Sequence, residues 1–418
     1  MKNIKFMMAT VGLMMCFSCS PDDFIGDSPD NQENEAPSVF ELVPLANAEA
    51  TTLQPTLSWQ ASEDPEGNGV TYDVYLGTTA DSTIKVAADD LSETNFTPSD
   101  SLTILTQYYW QVVAKDDLGA TSSSEVANFT TRTISNGRLI VENAEFAGRR
   151  AHRVEAYKQR LWLIGGTTTL GGLTSEVWSS LDGNSWELMT DTAEFGRING
   201  FTTAVFDDKL WALGGRDTDN ERLNTVWYSN NGSDWVLATE DAAFSGRNLH
   251  STVVYDNKLW VIGGYDGARK NDVWSSSNGA DWEMVTENAD FTAREEHTTT
   301  VFDDKMWVIG GNDGMNKNDG WYSSDGETWA LATDEAAFIP RQQHTVTTYA
   351  NKMWLIGGTT GTNQNYIWYS DDGIEWQLST DAANFPIRNL HATVLFNRKL
   401  WVIGGDGGSL KNDVWVLE

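Results

Sequence analysis

Cysteine is almost absent from this sequence of 418 residues. The two that occur, Cys16 and Cys19, both lie within the first 19 positions. A disulfide framework needs several spaced cysteines, and a cysteine-rich zinc site needs local pairs of them. Both kinds of stabilisation are therefore excluded from residues 20–418.

Basic residues are also few. The chain has 28 Lys and Arg against 60 Asp and Glu, which gives a formal net charge of −32. Such an acidic surface repels phosphate backbones and anionic lipid headgroups. The composition therefore excludes nucleic acid as a partner and argues against direct binding to acidic membranes. Aromatic residues are plentiful, with 19 Trp, so the chain is not disordered as a whole.

The apolar run at the N-terminus is short. Phe6–Phe17 has 12 residues, whereas a membrane-spanning helix needs about 20. It follows Lys2 and Lys5, and a basic start before a short apolar stretch is typical of an export signal. The ending Cys16-Phe17-Ser18-Cys19 resembles the lipobox of bacterial lipoproteins. That resemblance implies a signal peptide over residues 1–19 and lipidation at Cys19. An ordinary secretory signal is the alternative.

Residues 20–36 carry acids and no base. This composition predicts a disordered tether. The acids are Asp22, Asp23, Asp27, Asp30, Glu33 and Glu35. An acidic stretch after the lipobox cysteine resembles the surface-export signal of Bacteroidota lipoproteins. It implies a location in the cell envelope, at the outer membrane and exposed on the surface, with the lipid anchor as the only contact with the membrane.

Residues 37–132 alternate apolar and polar residues between turn segments. Strands are predicted at 56–59, 70–75 and 108–113. An early Trp59, a central TYDVYLG segment and a later TQYYWQVVAKDDLGATS segment resemble a fibronectin type III domain. The resemblance implies a β-sandwich that acts as a spacer or a binding module.

From residue 138 onward the chain repeats itself. A Gly-Gly pair recurs at steps of 49, 49, 47, 47 and 47 residues. The repeats share a Phe–Arg lead-in, F-x-x-R in five of them and one residue shorter in the second, followed by an apolar strand, a tight turn, an LWVIGG-like strand and a third strand with Trp. In the first five repeats an Asp-Gly type turn and a final strand that starts with Trp come next. Four short strands joined by hairpin turns predict one small antiparallel sheet per repeat.

This pattern of apolar residues and Gly-Gly, followed by an aromatic residue and Trp, resembles the kelch repeat. The resemblance implies an all-β fold in which a six-bladed kelch-type β-propeller, residues 137–418, follows the fibronectin type III-like sandwich. The sixth repeat has only three strands before Glu418. Residues 138–142 are therefore predicted to supply the missing outer strand and close the ring.

The lead-in arginine occurs in all six repeats, and a histidine follows it three residues later in five of them. In a propeller these positions share one end of the central channel, so one hypothesis is a ring of guanidinium groups that binds an anionic ligand. The competing interpretation is that a residue repeated in every blade builds the blade. The residues are Arg149, Arg197, Arg247, Arg294, Arg341 and Arg388, with His152, His250, His297, His344 and His391.

Residues that break the repeat are further candidates for ligand contact. Glu295 and Gln342 directly follow two of the lead-in arginines, and Tyr265 and Tyr366 lie in the divergent connections between second and third strands. Mixed polar and aromatic side chains on a concave face suit a glycan or a peptide loop. Neutral variation of loops is the alternative.

Enzymatic chemistry has less support. Kelch-like galactose oxidases need a Cys–Tyr cross-link, which the lack of cysteine after residue 19 excludes. Histidines 47 or more residues apart provide no local metal-ligand pair. The sequence therefore predicts a monomeric binding protein without cofactor or metal, whose ligand is a glycan or a protein. The alternative is a carbohydrate-active enzyme such as a kelch-type sialic-acid epimerase.

Overall fold

The computed structural model describes residues 33–45, 48–80, 86–169 and 172–418. The predicted signal peptide, Cys19 and most of the predicted tether lie outside these residues. Strands are the only regular elements in the described part, which confirms the all-β prediction. No helix that could cross a membrane is found in these ranges. The chain divides into two compact units.

The strands up to residue 130 are short, apart from two long ones. They are β1 (Leu42–Val43), β2 (Leu57–Trp59), β3 (Val70–Gly77), β4 (Val86–Leu91), β5 (Asn95–Phe96), β6 (Gln107–Asp116), β7 (Thr121–Ser123) and β8 (Ala127–Thr130). The first compact unit contains two antiparallel sheets, with strand orders β1-β2-β5 and β4-β3-β6-β7. The three strands predicted from alternation coincide with β2, β3 and β6.

The core of the first unit lies between these two sheets. Trp59 on β2 and Tyr72 on β3 are both buried, and their ring centroids lie 5.4 Å apart in an edge-to-face arrangement. Burial alternates along β6, where Trp110, Val112 and Ala114 face inward. Alternating strands of this kind hide one face and leave the other in solvent.

The second unit contains the repeats. Its strands are β9 (Arg138–Val141), β10 (Arg149–Arg150), β11 (Arg153–Tyr157), β12 (Arg160–Ile164), β13 (Thr167–Thr168), β14 (Gly172–Leu173), β15 (Val177–Ser180), β16 (Glu187–Thr190), β17 (Thr202–Phe206), β18 (Lys209–Leu213), β19 (Val226–Ser229), β20 (Val236–Thr239), β21 (Ser251–Tyr255), β22 (Lys258–Tyr265), β23 (Arg269–Ser276), β24 (Glu283–Thr286), β25 (Thr298–Phe302), β26 (Lys305–Asn312), β27 (Asn316–Ser323), β28 (Ala330–Thr333), β29 (Thr345–Tyr349), β30 (Lys352–Ile356), β31 (Ile367–Ser370), β32 (Trp376–Thr380), β33 (Ala392–Phe396), β34 (Lys399–Asp406) and β35 (Leu410–Leu417).

Each repeat forms one antiparallel sheet, numbered here in chain order. Sheets 1 to 5 have the strand orders β11-β12-β15-β16, β17-β18-β19-β20, β21-β22-β23-β24, β25-β26-β27-β28 and β29-β30-β31-β32. Sheet 6 contains β33-β34-β35, and β9 pairs with β35. Tight turns join the first two strands: Asp303 and Asp304 both have φ of 51° between the paired residues Phe302 and Lys305, as a type I′ hairpin requires.

Six hydrophobic clusters connect the sheets. Each lies between successive sheets, and one of them joins sheet 6 to sheet 1 through Val394, Trp401 and Ile403 on one side and Leu161 and Leu163 on the other. The first strand of every sheet contacts the first strand of the next, and β33 contacts β11. The core of this unit therefore runs around a circle of first strands.

Tryptophan and glycine make the contacts between neighbouring sheets close. The second-strand Trp211 of sheet 2 packs against Gly279 in the turn before the last strand of sheet 3. A Cβ at Gly279 would lie 2.1 Å from Cζ3 of Trp211, and the φ of +75° also favours glycine. The same contact pairs Gly232 with Trp162 and Gly326 with Trp260. The Asp-Gly type turn is thus required by sheet packing as well as by hairpin geometry.

Strand β9 lies far from the rest of sheet 6 in the sequence. It pairs with β35 in antiparallel register, with Leu139 opposite Trp415. Asn412 on β35 donates to the carbonyl oxygens of Ala144 and Phe146 at 2.9 and 3.2 Å. Asn271 makes the equivalent bonds between sheets 3 and 4. The junction of sheets 6 and 1 therefore repeats the contacts of the other junctions.

We expect β9 to be essential for the stability of this unit. Ile140 packs on the cluster between sheets 6 and 1, so Ile140→Asp should lower the free energy of unfolding by about 2 to 3 kcal/mol, because it places a carboxylate against apolar side chains. Leu139 on the same strand is 39% exposed, and Leu139→Asp is the control, with an expected change within about 0.5 kcal/mol. Equal denaturation midpoints for both variants would contradict the role of β9.

Candidate functional site

A central cavity lies among the first strands of the six sheets. Its volume is about 220 Å³, and its lining includes Arg153, Glu155, four of the five histidines and a series of threonines. Arg153 donates from Nε to the carbonyl oxygen of Phe201 at 2.7 Å. Glu155 accepts a 2.6 Å hydrogen bond from Thr203. The lining is therefore polar, and its two charged residues both come from sheet 1.

Five of the six lead-in arginines have no exposed surface. They are Arg149, Arg247, Arg294, Arg341 and Arg388. Arg294 shows the shared geometry: Nε donates to the carbonyl oxygen of Thr292 at 3.0 Å, and Nη1 donates to that of Gly310 at 2.9 Å. The guanidinium carbon lies 5.5 Å from the ring centroid of Phe291. The F-x-x-R lead-in therefore places the arginine over its own phenylalanine and against the Gly-Gly pair.

A carboxylate from the third strand completes this arrangement in four sheets. Asp319 accepts from Nη1 and Nη2 of Arg294 at 2.7 and 2.8 Å, and its Oδ2 also accepts from Nε1 of Trp321 at 2.9 Å. The equivalent groups are Arg149 with Glu176 and Trp178, Arg247 with Asp272 and Trp274, and Arg388 with Asp413 and Trp415. We call each set an arginine–carboxylate–tryptophan unit.

Sheets 2 and 5 depart from this unit because the third strand has a different residue two positions before its Trp. Sheet 2 has Thr225 there, and its Arg197 is exposed to solvent. Sheet 5 has Tyr366 there, while Arg341 stays buried. The lead-in of sheet 2 is also one residue shorter, Phe195-Gly196-Arg197, so the buried Ile198 takes the place that the arginine has in the other sheets. The five arginines of a full F-x-x-R lead-in are all buried.

The hypothesis of an anion site built from the arginine ring needs correction for these five residues. A guanidinium group with no exposed surface cannot contact a ligand over the channel, and its donors bond to backbone carbonyls and, in four sheets, to a carboxylate. The structure therefore favours the interpretation that they build the sheets. Among the six lead-in arginines, only Arg197 is exposed enough to contact a ligand.

The histidines are packed between glycine pairs. A Cβ at Gly264 would lie 2.6 Å from Cβ of His250 in the same sheet, and one at Gly263 would lie 3.0 Å from Cε1 of His297 in the next sheet. In sheet 2, Phe201 occupies this place and contacts Gly215 and Gly165 in the same way. Because phenylalanine serves equally well here, the position is used for packing.

Burial also changes how the histidines titrate. Loss of hydration, together with repulsion from the arginine three residues earlier, lowers the pKa of His152 and of His297 to about 3. The same causes hold the pKa of His250, His344 and His391 well below the usual range. All five imidazoles are therefore neutral at physiological pH and add no positive potential to the channel.

One end of the channel is narrowed by backbone hydrogen bonds. The amides of Ala151, Leu249, Glu296, Gln343 and Leu390 each donate to the corresponding residue of the preceding sheet, at 2.8 to 3.2 Å. All five residues, and Gly200 in sheet 2, have φ between 49° and 61°. Side-chain bonds from Gln343 to Glu296 and from Asn389 to Gln343, both 2.7 Å, strengthen this circle. These bonds bring the six sheets together at this end of the channel.

Four of the predicted site residues lie outside the arginine ring. Two of them, Tyr265 and Glu295, belong to one group of surface side chains. The guanidinium of Arg222 stacks over Tyr265, 4.7 Å from its centroid, and Arg269 forms a 3.0 Å ion pair with Glu295. Tyr265 and Arg269 face each other across the β22–β23 pair. We call Arg222, Tyr265, Arg269 and Glu295 the arginine–tyrosine surface. Gln342 pairs through its backbone with Thr359, and Tyr366 is half-buried in sheet 5.

Comparison with known families agrees with the repeat architecture. The family model described as the KLHDC2/KLHL20/DRC7 Kelch-repeats domain matches residues 114–311 and 277–418, which together are well over half of the chain.

The chain belongs to the KLHDC2/KLHL20/DRC7 Kelch-repeats domain family.

Comparison with curated proteins found no match. The kelch resemblance predicted from the Gly-Gly and Trp pattern is confirmed, and the second unit is a Kelch propeller.

Sequence reasoning missed three features of the Kelch propeller. The carboxylates of the arginine–carboxylate–tryptophan units lie 25 or 27 residues after their arginines, although the recurring Asp or Glu two positions before Trp was a visible signal. Arg153 and Glu155 were visible as charged residues where other repeats have small or uncharged ones. The channel-narrowing hydrogen bonds join backbone atoms, so no residue pattern marked them.

Substitution of single lead-in arginines tests whether the buried ones are needed for the stability of the fold. Arg294→Ala should lower the free energy of unfolding by about 3 to 5 kcal/mol, because it leaves the Asp319 carboxylate buried and unpaired. Arg197→Ala, at the exposed arginine of the shortened lead-in, is the control, with an expected change within about 0.5 kcal/mol. Both are measured by chemical denaturation. If both variants lose the same free energy of unfolding, the contribution of the arginine to stability does not depend on burial of its guanidinium group.

The buried histidines predict a pH dependence of stability. Their pKa is depressed in the folded state, so the unfolded state binds more protons below about pH 6.5, the usual histidine value. Unfolding free energy should therefore fall as pH is lowered from 7 towards 5, a range in which most carboxylates stay ionised. Burial raises the pKa of Glu155 and Glu296 and acts in the opposite direction, but these are two groups against five. If the free energy of unfolding stays constant or increases as the pH is lowered from 7 to 5, the buried histidines are not neutral in the folded state.

Proposed function

We propose that this chain is an exported, lipid-anchored binding protein whose Kelch propeller holds a protein ligand at the arginine–tyrosine surface. The propeller has six blades, the first unit is a fibronectin type III-like sandwich that acts as a spacer, and Cys19 carries the lipid that anchors the protein to the outer membrane, with the propeller exposed on the cell surface. The protein acts as a monomer and needs no cofactor.

The six-bladed form is supported by the contacts between sheets. Each of the six sheets shares one hydrophobic cluster with the next, and the last cluster joins sheet 6 to sheet 1. Strand β9 gives sheet 6 a fourth strand from the beginning of the unit. A ring closed in this way leaves only the short outer strands as sheet edges, which stabilises a propeller.

The observation that carries the proposed binding is the group of side chains at the arginine–tyrosine surface. Arginine and tyrosine are enriched among the residues that dominate protein interfaces. Arg222 is half-exposed and lies over the ring of Tyr265, so its guanidinium group is already positioned before a ligand arrives. Preorganisation of this kind reduces the entropy lost on binding. The surface suits a carboxylate or carbonyl group on the ligand.

The same stacking favours a protein ligand over a glycan. Sugars bind aromatic side chains by laying an apolar C–H face on the ring, and the guanidinium of Arg222 already covers one face of Tyr265. A polar group of a peptide can approach Arg222 and Arg269 without displacing that contact.

The enzymatic alternative loses its main support. A carbohydrate-active enzyme such as a sialic-acid epimerase was favoured by an arginine ring that could hold a sugar carboxylate. Five of those six arginines have no exposed surface, and the histidines beside them are buried between glycine pairs. We therefore place binding, not catalysis, on the loops.

Peptide display tests this function. The full chain is immobilised and used to select peptides from a random 12-residue library, and the affinity of the enriched peptides is then measured. In the variant with Arg222→Ala and Tyr265→Ala, affinity should fall at least about tenfold, as expected for loss of one charge-assisted contact. The control is the double variant Lys305→Ala with Tyr322→Ala. Lys305 also stacks on an aromatic ring, that of Tyr322, but it lies at the first residue of strand β26, outside the arginine–tyrosine surface.

Three outcomes would overturn the proposal. One is that no peptide is enriched. A second is that peptide affinity falls equally in both double variants although both remain folded. The third is that a glycan array gives binding that depends on Tyr265, which would assign the surface to carbohydrate.

A further inference from the structure

Sheet 5 of the Kelch propeller buries a lead-in arginine without the carboxylate that accompanies it elsewhere. In sheets 1, 3, 4 and 6 a third-strand Glu or Asp accepts hydrogen bonds from both the arginine and the tryptophan of the unit. In sheet 5 that position is Tyr366. Arg341 nevertheless has no exposed surface.

The replacement leaves two donors without an acceptor. Nη2 of Arg341 and Nε1 of Trp368 are both buried, and neither has a hydrogen-bond partner in the described part of the chain. The other two nitrogens of Arg341 each have an acceptor: Nε bonds to the carbonyl oxygen of Ile339 at 3.0 Å and Nη1 to that of Gly357 at 2.8 Å. The guanidinium group is thus held in the usual orientation.

A second replacement removes the other possible partner of Nη2. In sheet 4 the hydroxyl of Thr292, two residues before the arginine, accepts from Nη2 of Arg294 at 3.0 Å. Ser245 has the same role in sheet 3. The equivalent residue in sheet 5 is Ile339, which has no acceptor in its side chain. Both polar contacts of this nitrogen are therefore lost in the same sheet.

The geometry of the other sheets shows where the two donors converge. In sheet 4 a single atom, Oδ2 of Asp319, lies 2.8 Å from Nη2 of Arg294 and 2.9 Å from Nε1 of Trp321. Sheet 5 has the same strand register, with Trp368 opposite Leu355 as Trp321 is opposite Val308. A single acceptor atom in the corresponding place would therefore satisfy both nitrogens.

Charge favours an anion as that acceptor. Burial lowers the pKa of Arg341 to about 10, so the guanidinium is still protonated at neutral pH, and it lacks the counter-charge that four other sheets provide. A buried charge without a partner is strongly unfavourable. Hydrogen bonds from a charged donor to an anion are about twice as strong as those between neutral groups.

We propose that Arg341 and Trp368 bind one small monatomic anion of the chloride type, which takes the part that an Asp or Glu oxygen has in the other sheets. The anion stabilises sheet 5 and is independent of the ligand at the arginine–tyrosine surface.

The test uses bromide, which resembles chloride and scatters anomalously. The melting temperature of the full chain is measured while sodium bromide replaces sodium gluconate at constant ionic strength, which holds general screening fixed. The melting temperature should rise with bromide concentration in a saturable manner, as for a ligand of the folded state. Crystals grown with bromide should show an anomalous peak within hydrogen-bond distance of Arg341 Nη2 and Trp368 Nε1.

Two variants assign the effect to this place. Tyr366→Asp restores a carboxylate at the third-strand position and should abolish the dependence on bromide while raising the melting temperature in gluconate. Trp368→Phe keeps the ring but removes one donor and should raise the half-saturating bromide concentration about tenfold. The matched control is Thr225→Asp, the same position in sheet 2, which should leave the bromide dependence unchanged.

Any of three results would overturn the proposal: no bromide dependence of the melting temperature in the wild-type chain, an anomalous map with bromide at other places only, or a dependence that persists unchanged in Tyr366→Asp and Trp368→Phe. If Tyr366→Asp does not fold, the shift in Trp368→Phe decides the matter by itself.

Discussion

The buried lead-in arginine is the contact on which five of the six repeats of the propeller depend. Arg247 connects three parts of one sheet: Nε bonds to the carbonyl oxygen of Ser245 in the lead-in, Nη1 bonds to that of Gly263 at the end of the second strand, and Nη1 and Nη2 bond to Asp272 on the third strand. A planar group with five donors is suited to such a junction. Because the charge is buried, the contact is stabilising only when every donor has a partner.

This constraint determines which parts of the chain are free to vary for function. The arginine fixes the Gly-Gly pair, and the glycine pairs in turn hold the histidines or Phe201. The hydrogen bonds between Glu296, Gln343 and their neighbours narrow one end of the channel. What remains for specific recognition is the region where the second strands end and the connections to the third strands begin, which contains Tyr265 and Arg222.

Much of the architecture could be predicted because it repeats. The spacing of Gly-Gly pairs and of tryptophans marks the strands of every sheet, and the missing fourth strand of the last repeat pointed to residues 138–142, where β9 lies. Burial of the Trp side chains in the second strands, such as Trp354, follows from the same periodicity. A repeated sequence gives the same local information six times, so errors in any one repeat have little effect.

Whether each lead-in arginine is buried or exposed could not be predicted from the repeat pattern. An arginine in a repeated motif is compatible with a ligand site and with a buried ion pair, and the carboxylate that would pair with it lies about half a repeat away. Asp319 pairs with the buried Arg294, whereas Arg341 is buried without a carboxylate, and Arg197 follows a shortened lead-in and is exposed. The channel-narrowing ring was hidden for another reason: its members Ala151, Leu249 and Gln343 share a backbone conformation rather than a side-chain type.

A double-mutant cycle on Arg247 and Asp272 tests the central claim most directly. The variants Arg247→Met, Asp272→Leu and the two combined are compared with the parent chain by chemical denaturation. If the pair is a buried structural contact, the coupling energy should be at least about 2 kcal/mol, and the double variant should be little less stable than either single one. Additive losses, with a coupling energy near zero, would show that the two side chains contribute independently and would contradict the account.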